Sequence, residues 1–175
     1  MAMPTKQEWT KRAEQKVKRT QLFINGKFVD AASGKTFDSI NPRDGKLITE
    51  VAEGDAEDVN RAVAAAKASF EAGVWREMAP LDRKKLILRW VELIHAHAEE
   101  LALLETMNCG KPISDSLNVD VASCANNMQW YAECIDKLYG EIAPIPRDSV
   151  ALIEREPMGV VGAVVPWNYP LIITS

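Results

Sequence analysis

Three observations predict an α/β fold for this chain of 175 residues. A turn dipeptide, Asn25-Gly26, sits between two short runs of β-branched and aromatic residues. Several long segments carry apolar residues at helical spacing, and Val160 to Val165 is an unbroken run of small and β-branched residues. A run without period-2 alternation fits a strand covered on both faces, as in parallel sheets with helices on each side.

Residues 1–20 hold Lys6, Lys11, Arg12, Lys16, Lys18 and Arg19 against Glu8 and Glu14, and their low apolar content predicts a solvated helical arm without chemistry. Leu22 to Val29 reads as a hairpin about Asn25-Gly26. Phe37 to Pro42, a turn at Arg43-Asp44-Gly45 and a strand from Leu47 to Ala52 complete an antiparallel opening. A helix begins after Asp55, a suitable N-cap with Asp58 at N3, buries a stripe of Val59, Ala62, Val63, Ala66 and Phe70, and stops at Gly73. Pro80 starts the next helix, whose Leu86, Trp90, Leu93 and Ile94 form an apolar face. Helix continues through Leu101, Leu104 and Met107 to Cys109-Gly110-Lys111-Pro112. One long helix is expected from Ser114 to Tyr139 with Gly140 beyond it, followed by a Pro-rich connection, a strand at Val150 to Arg155 and the buried strand. Gly159 and Gly162 would admit close backbone approach, Pro166 would end the strand, and Pro170 would hold Tyr169 extended, so that Asn168 occupies a pinned turn at a ligand-facing strand end.

The formal charge of −4 and the lack of a basic, aromatic-interleaved stripe exclude a nucleic-acid surface. With no apolar run of membrane length and no signal pattern, the chain is predicted to be soluble, cytoplasmic and without a membrane partner. Cys109, Cys124 and Cys134 are odd in number and form no Cys-x-x-Cys pair, which fits free thiols. His95 and His97 point to different helix faces and cannot make an i, i+4 metal pair, so no metal is expected. Glu99, Glu100, Asp115 and Asp120 read as carboxylates on solvated helix faces. Cys109 lies at the negative end of a helix, which raises a thiol's pKa and disfavours a nucleophile. Arg155-Glu156 reads as a structural charged turn. Gly-x-Ser-x-Gly, Gly-x-Gly-x-x-Gly and Walker patterns are missing from the sequence. Residue by residue, the inventory is a ligand-facing asparagine and no nucleophile.

Phe23-Ile24-Asn25-Gly26-Lys27-Phe28-Val29, Asn41-Pro42, Glu105-Thr106 with Gly110-Lys111-Pro112, Trp130-Tyr131-Ala132, and Arg155-Glu156-Pro157 through Pro166-Trp167-Asn168-Tyr169-Pro170 together resemble the aldehyde dehydrogenase superfamily. The order is kept from Leu22 to Ser175. Residues 97–106, 130–133, 135–137 and 139–141 resemble most the enzymes of γ-glutamyl-γ-aminobutyraldehyde.

The resemblance implies an aldehyde-dehydrogenase-like fold, with residues 21–140 and 158–175 belonging to an atypical Rossmann domain that binds NAD or NADP. Residues 141–157 would supply strands of an oligomerisation arm, through which the full-length form would assemble as a homodimer or homotetramer. Asn168 matches the oxyanion-hole asparagine; Val164, Val165, Pro166 and Trp167 match the segment beside the dinucleotide; Tyr169, Val119 and Ser123 match positions lining the tunnel for a small-molecule aldehyde. At Asn108-Cys109 relatives commonly carry Asp followed by Asn or Thr, a departure confined to a helix end. The family's catalytic cysteine, its general-base glutamate and most cofactor ligands match nothing up to Ser175, and no cysteine of this chain inherits the nucleophile's role. The chain is therefore expected to be the truncated amino-terminal portion of such an enzyme, inactive alone, with an open apolar sheet edge. The alternative is a non-enzymatic module that binds a full-length subunit through its arm strands.

Overall fold

The computed structural model describes residues 3–175. Helix α1 (Lys6–Ala13) is started by a capping box in which the Thr5 hydroxyl accepts from the Glu8 N–H and the Glu8 carboxylate accepts from the Thr5 N–H. Contrary to the solvated arm expected, α1 docks on the rest of the chain. Trp9 is buried, and Arg12 and Lys18 pair with Glu99 and Glu100. A single large aromatic on an otherwise polar helix is enough to hold it down.

Strands β1 (Leu22–Ile24) and β2 (Lys27–Val29) form the expected hairpin, with Asn25 and Gly26 both at positive φ, 51° and 73°. That is the backbone a two-residue type I′ turn requires. Strands β3 (Thr36–Ile40) and β4 (Leu47–Ala52) pair antiparallel across the Arg43-Asp44-Gly45 turn. Helix α2 (Ala56–Glu71) is capped by Asp55, and Asp58 at N3 is buried. The Asp58 carboxylate accepts from the N–H groups of Ala32 (3.1 Å) and Asp55 (3.3 Å) and from Arg61 (3.0 Å), so it joins the helix to the loop after β2. Val59 and Val63 of the expected α2 stripe are exposed. Apolar spacing predicts a face that seeks a cover, and no element among the described residues covers this one.

Helices α3 (Pro80–Ala96) and α4 (Ala98–Cys109) follow, the first with Pro80 at its start and the second closed by Gly110 in the left-handed region. The core face of α3 is Val91 and Ile94; Leu86, Trp90 and Leu93 are exposed. The long helix foreseen from Ser114 to Tyr139 runs unbroken from Ile113 but stops at Cys134, and it holds a π-helical turn (Ser116–Val121) between α5 (Ile113–Asp115) and α6 (Ala122–Cys134). A π turn admits an extra residue and rotates the following face by about 100°. Ser116, Asp120 and Val121 all point inward in this turn. The core gathers Val91, Ile94, Ala102, Val121, Cys124 and Ala125, with Leu171 packed against it from the last helix, α7 (Pro170–Thr174).

Strands β5 (Glu141–Ala143) and β6 (Ala151–Ile153) pair as a separate hairpin, and Arg155 reaches Glu141 at 3.2 Å. The buried strand expected at Val160 to Val165 does not form. No strand pairs with it among the described residues, Val161 is 77% exposed, and nothing lies within 4 Å of where a Cβ on Gly162 would stand. A parallel strand exists only as one rung of a ladder, and the sheets among the described residues are three two-stranded hairpins.

Gly110 joins two of the motifs. Its φ is +77°, and a Cβ there would lie 2.9 Å from Pro42 Cγ, so the Gly110-Lys111-Pro112 loop rests against the Asn41-Pro42 turn. Asn108 adds a hydrogen bond to Ser39, 2.9 Å. Gly110→Ala is expected to cost roughly 1–2 kcal/mol for the left-handed backbone alone, with the Pro42 clash adding to it. A urea midpoint unchanged from wild type would contradict this.

Candidate active site

Trp167 and Asn168 form a turn between the unpaired 160–166 segment and α7. Asn168 is exposed, and among the described residues its side-chain amide makes no hydrogen bond. An asparagine that merely closed its own turn would spend that amide on local backbone; this one is free for a ligand.

The turn is gripped on both sides of Asn168 by the loop that ends α4. The Cys109 thiol donates to the Trp167 carbonyl oxygen, 2.9 Å, and the Lys111 ammonium lies 4.0 Å from the centroid of the Tyr169 ring. Helix α7 packs on α6 and on the π-helical turn, so the helix carrying Val119 and Ser123 adjoins the segment that follows Tyr169. Val119 is exposed and Ser123 half-buried. Tyr169 is 44% exposed. Val164, Val165, Pro166 and Trp167 form an exposed apolar stretch leading into the turn.

Beneath the turn lies a charge cluster that spacing alone does not reveal. Lys111 Nζ is 3.0 Å from Glu105 Oε1 and 2.7 Å from Asp120 Oδ2. Glu105 is 4% and Asp120 1% exposed, which corrects the solvated reading of Asp120. Asp120 is buried within the π-helical turn, and Ser116 in the same turn accepts a hydrogen bond from the Thr106 hydroxyl, 2.9 Å. Glu105 comes from α4, Lys111 from the loop and Asp120 from the π turn. The available signal was the i, i+4 spacing that puts Ser116 and Asp120 on the helix face of Cys124, with a lysine just upstream.

Burial, reinforced by Asp120, pushes the Glu105 carboxyl up from its ordinary value despite the Lys111 hydrogen bond. Burial also opposes the charge on Lys111, but hydrogen bonds to Asp120 and Glu105 outweigh it and its pKa is raised. The Cys109 thiol is raised by burial and then by the Glu105 carboxylate, and Cys124 by burial. A thiol held protonated suits Cys109 as a hydrogen-bond donor and not as a nucleophile. Because the folded state holds the Glu105 proton more tightly than the unfolded chain does, ionised Glu105 weighs against the fold above its raised pKa. That cost fades as pH falls to the ordinary carboxylate range. Glu105→Gln is thus expected to raise the urea midpoint at neutral pH and to flatten its rise on acidification; a lower midpoint at neutral pH would show the Lys111 attraction to dominate.

The sequence from residue 28 to 175 matches the aldehyde dehydrogenase family. The chain belongs to that family. It is 43% identical over 166 residues to the NADP/NAD-dependent aldehyde dehydrogenase PuuC of Escherichia coli, covering 95% of this chain and 34% of that protein. With the aminoacetaldehyde dehydrogenase of Pseudomonas aeruginosa it shares 47% over 155 residues, 89% of this chain and 31% of the relative. The chain therefore spans about a third of the length of these curated relatives. Its fold is that of aldehyde dehydrogenases. A P. syringae indole-3-acetaldehyde dehydrogenase, solved with NAD+ and IAA, superposes with a TM-score of 0.95 at 48% identity, covering 98% of this chain and 35% of that one. A γ-glutamyl-γ-aminobutyraldehyde dehydrogenase from Burkholderia cenocepacia gives 0.93 at 46%, covering 96% and 34%. Among the described residues, no helix of this aldehyde dehydrogenase chain is long and apolar enough to cross a membrane, and no group of three acidic, His or Cys residues could hold a metal.

Proposed function

We propose that this chain is part of an NAD(P)-dependent aldehyde dehydrogenase that oxidises an aldehyde, and more narrowly an aminoaldehyde, to the carboxylic acid. In this reading Asn168 donates its amide N–H to the oxygen that becomes negatively charged when the aldehyde carbon is attacked. The observation that carries it is the free Asn168 amide in a turn clamped at Trp167 and Tyr169. The aminoacetaldehyde dehydrogenase relative and the γ-glutamyl-γ-aminobutyraldehyde dehydrogenase neighbour support the substrate class.

NAD or NADP, when bound, accepts the hydride. Val164, Val165, Pro166 and Trp167 fit one wall of its site: they are apolar and uncovered, and residues 158–175 hold no charged side chain. The stretch can line the nicotinamide half and offers no cation to the diphosphate. Tyr169, Val119 and Ser123 would line the aldehyde's path. The enzyme would work in the cytoplasm as a homodimer or homotetramer, with β5 and β6 in the interface.

Purified 175-residue chain, mixed with aldehyde and NAD, is expected to form no NADH, because none of Cys109, Cys124 and Cys134 matches the family's nucleophile. Turnover by chain of confirmed mass would overturn the expected inactivity of this chain alone. Exposed Ile142, Val150 and Leu152 favour a second one, a non-enzymatic module that binds a full-length subunit through β5 and β6. Sequencing the coding frame past Ser175 separates the two. A continuing frame with a cysteine-bearing domain supports the enzyme, and a stop codon with stable expression supports the module.

A further inference from the structure

We propose that Lys111 is a positioning residue: fixed by Glu105 and Asp120, its ammonium holds the Tyr169 ring and thereby keeps the Asn168 amide aimed. The inference rests on the oxyanion reading of Asn168 and adds to it the group that holds the turn.

Lys111 has its charge engaged on two sides. Carboxylate oxygens at 3.0 and 2.7 Å, both from nearly inaccessible side chains, fix the ammonium in place. These two contacts leave it no freedom to follow a moving ring, so the ring follows it: Tyr169 sits 4.0 Å away. Asn168 is the residue between two tethers, the Trp167 carbonyl on Cys109 and the Tyr169 ring on Lys111. Both tethers spring from one loop, pinned by Gly110 against Pro42. Among the described residues the segment before the turn pairs with no strand, and the turn itself is held by these tethers and by α7. A cation shared by two buried carboxylates is a costly way to gain stability. It is a good way to fix a point charge, and an oxyanion donor contributes only if it is in place before charge develops.

The test uses isotope-labelled 175-residue chain and nuclear magnetic resonance. In wild type, the ε-methylene protons of Lys111 are expected upfield under the Tyr169 ring current, with a backbone heteronuclear NOE at Asn168 typical of ordered structure. Tyr169→Leu leaves the charge cluster whole, so the urea midpoint stays close to wild type while the upfield shift is lost and the Asn168 NOE falls to loop values. Lys111→Met gives the same loss at Asn168, and Lys111→Arg, which keeps both charge and ring contact, restores it. Should Lys111→Met fail to fold, Tyr169→Leu decides alone. An Asn168 NOE unchanged in Tyr169→Leu, or no upfield shift in wild type, overturns the proposal. Kinetics of Asn168→Ala in the full-length enzyme keep the two ideas apart. A fall in kcat together with an unmoved turn in Tyr169→Leu defeats the positioning role alone, whereas an unaltered kcat defeats the oxyanion reading and the positioning role with it.

Discussion

Asn168→Ala in the full-length enzyme is expected to lower kcat by roughly 100- to 1000-fold, the loss that follows removal of one pre-aimed oxyanion donor, about 3–4 kcal/mol of barrier. The interaction strengthens as charge develops on oxygen, so kcat and kcat/KM fall together and KM changes little. Asn168→Asp should be worse, because a carboxylate repels the charge the amide stabilises. Folding should be almost untouched. Asn168 is exposed and its amide is spent on no neighbour among the described residues, so the urea midpoint should shift by less than about 0.5 kcal/mol equivalent. Steady-state kinetics beside an unfolding curve check both halves. A large stability loss would mean that Asn168 closes the turn after all.

Lys111→Met is expected to produce the largest stability change, a loss of roughly 3–5 kcal/mol at neutral pH, because it strands two buried carboxylates without their cation. Glu105 and Asp120 both have side chains 2% exposed, so water cannot replace the ammonium without opening the core beside the π-helical turn. The loss should shrink on acidification, as protonation removes the stranded charges. Adding Glu105→Gln to Lys111→Met should recover part of it, since the residues share one network and their effects do not add. Urea unfolding of the two single variants and the double over neutral to mildly acidic pH measures this. A loss under about 1 kcal/mol would place the cluster among solvated surface pairs.

The local elements were legible because short-range chemistry specifies them. Asn25-Gly26 can scarcely be other than a tight hairpin turn, Asp55 with Asp58 is a capping box, and Pro80 and Gly110 punctuate their helices. The direction of the Cys109 shift was also legible, although burial and then the Glu105 carboxylate raise it, where the sequence pointed to the helix end. The charge cluster was not. A carboxylate on a helix reads as solvated unless its partner is known, and Asp120 meets Lys111 and Glu105 only once α4 and the loop after it pack against this helix.

Sequence by itself determined the Asn25-Gly26 hairpin, the starts of α2 and α3, the stop at Gly110 and the family, and it nominated Asn168. Each depends on neighbours along the chain or on a motif read in order. Tertiary structure alone decided that α1 is docked, that Val160 to Val165 lies unladdered, and that Lys111 and Cys109 flank Asn168 from one loop. These outcomes depend on which distant segment supplies the other half of a contact. A strand needs a ladder and a buried charge needs a counter-charge, and neither requirement is written at the position that has it.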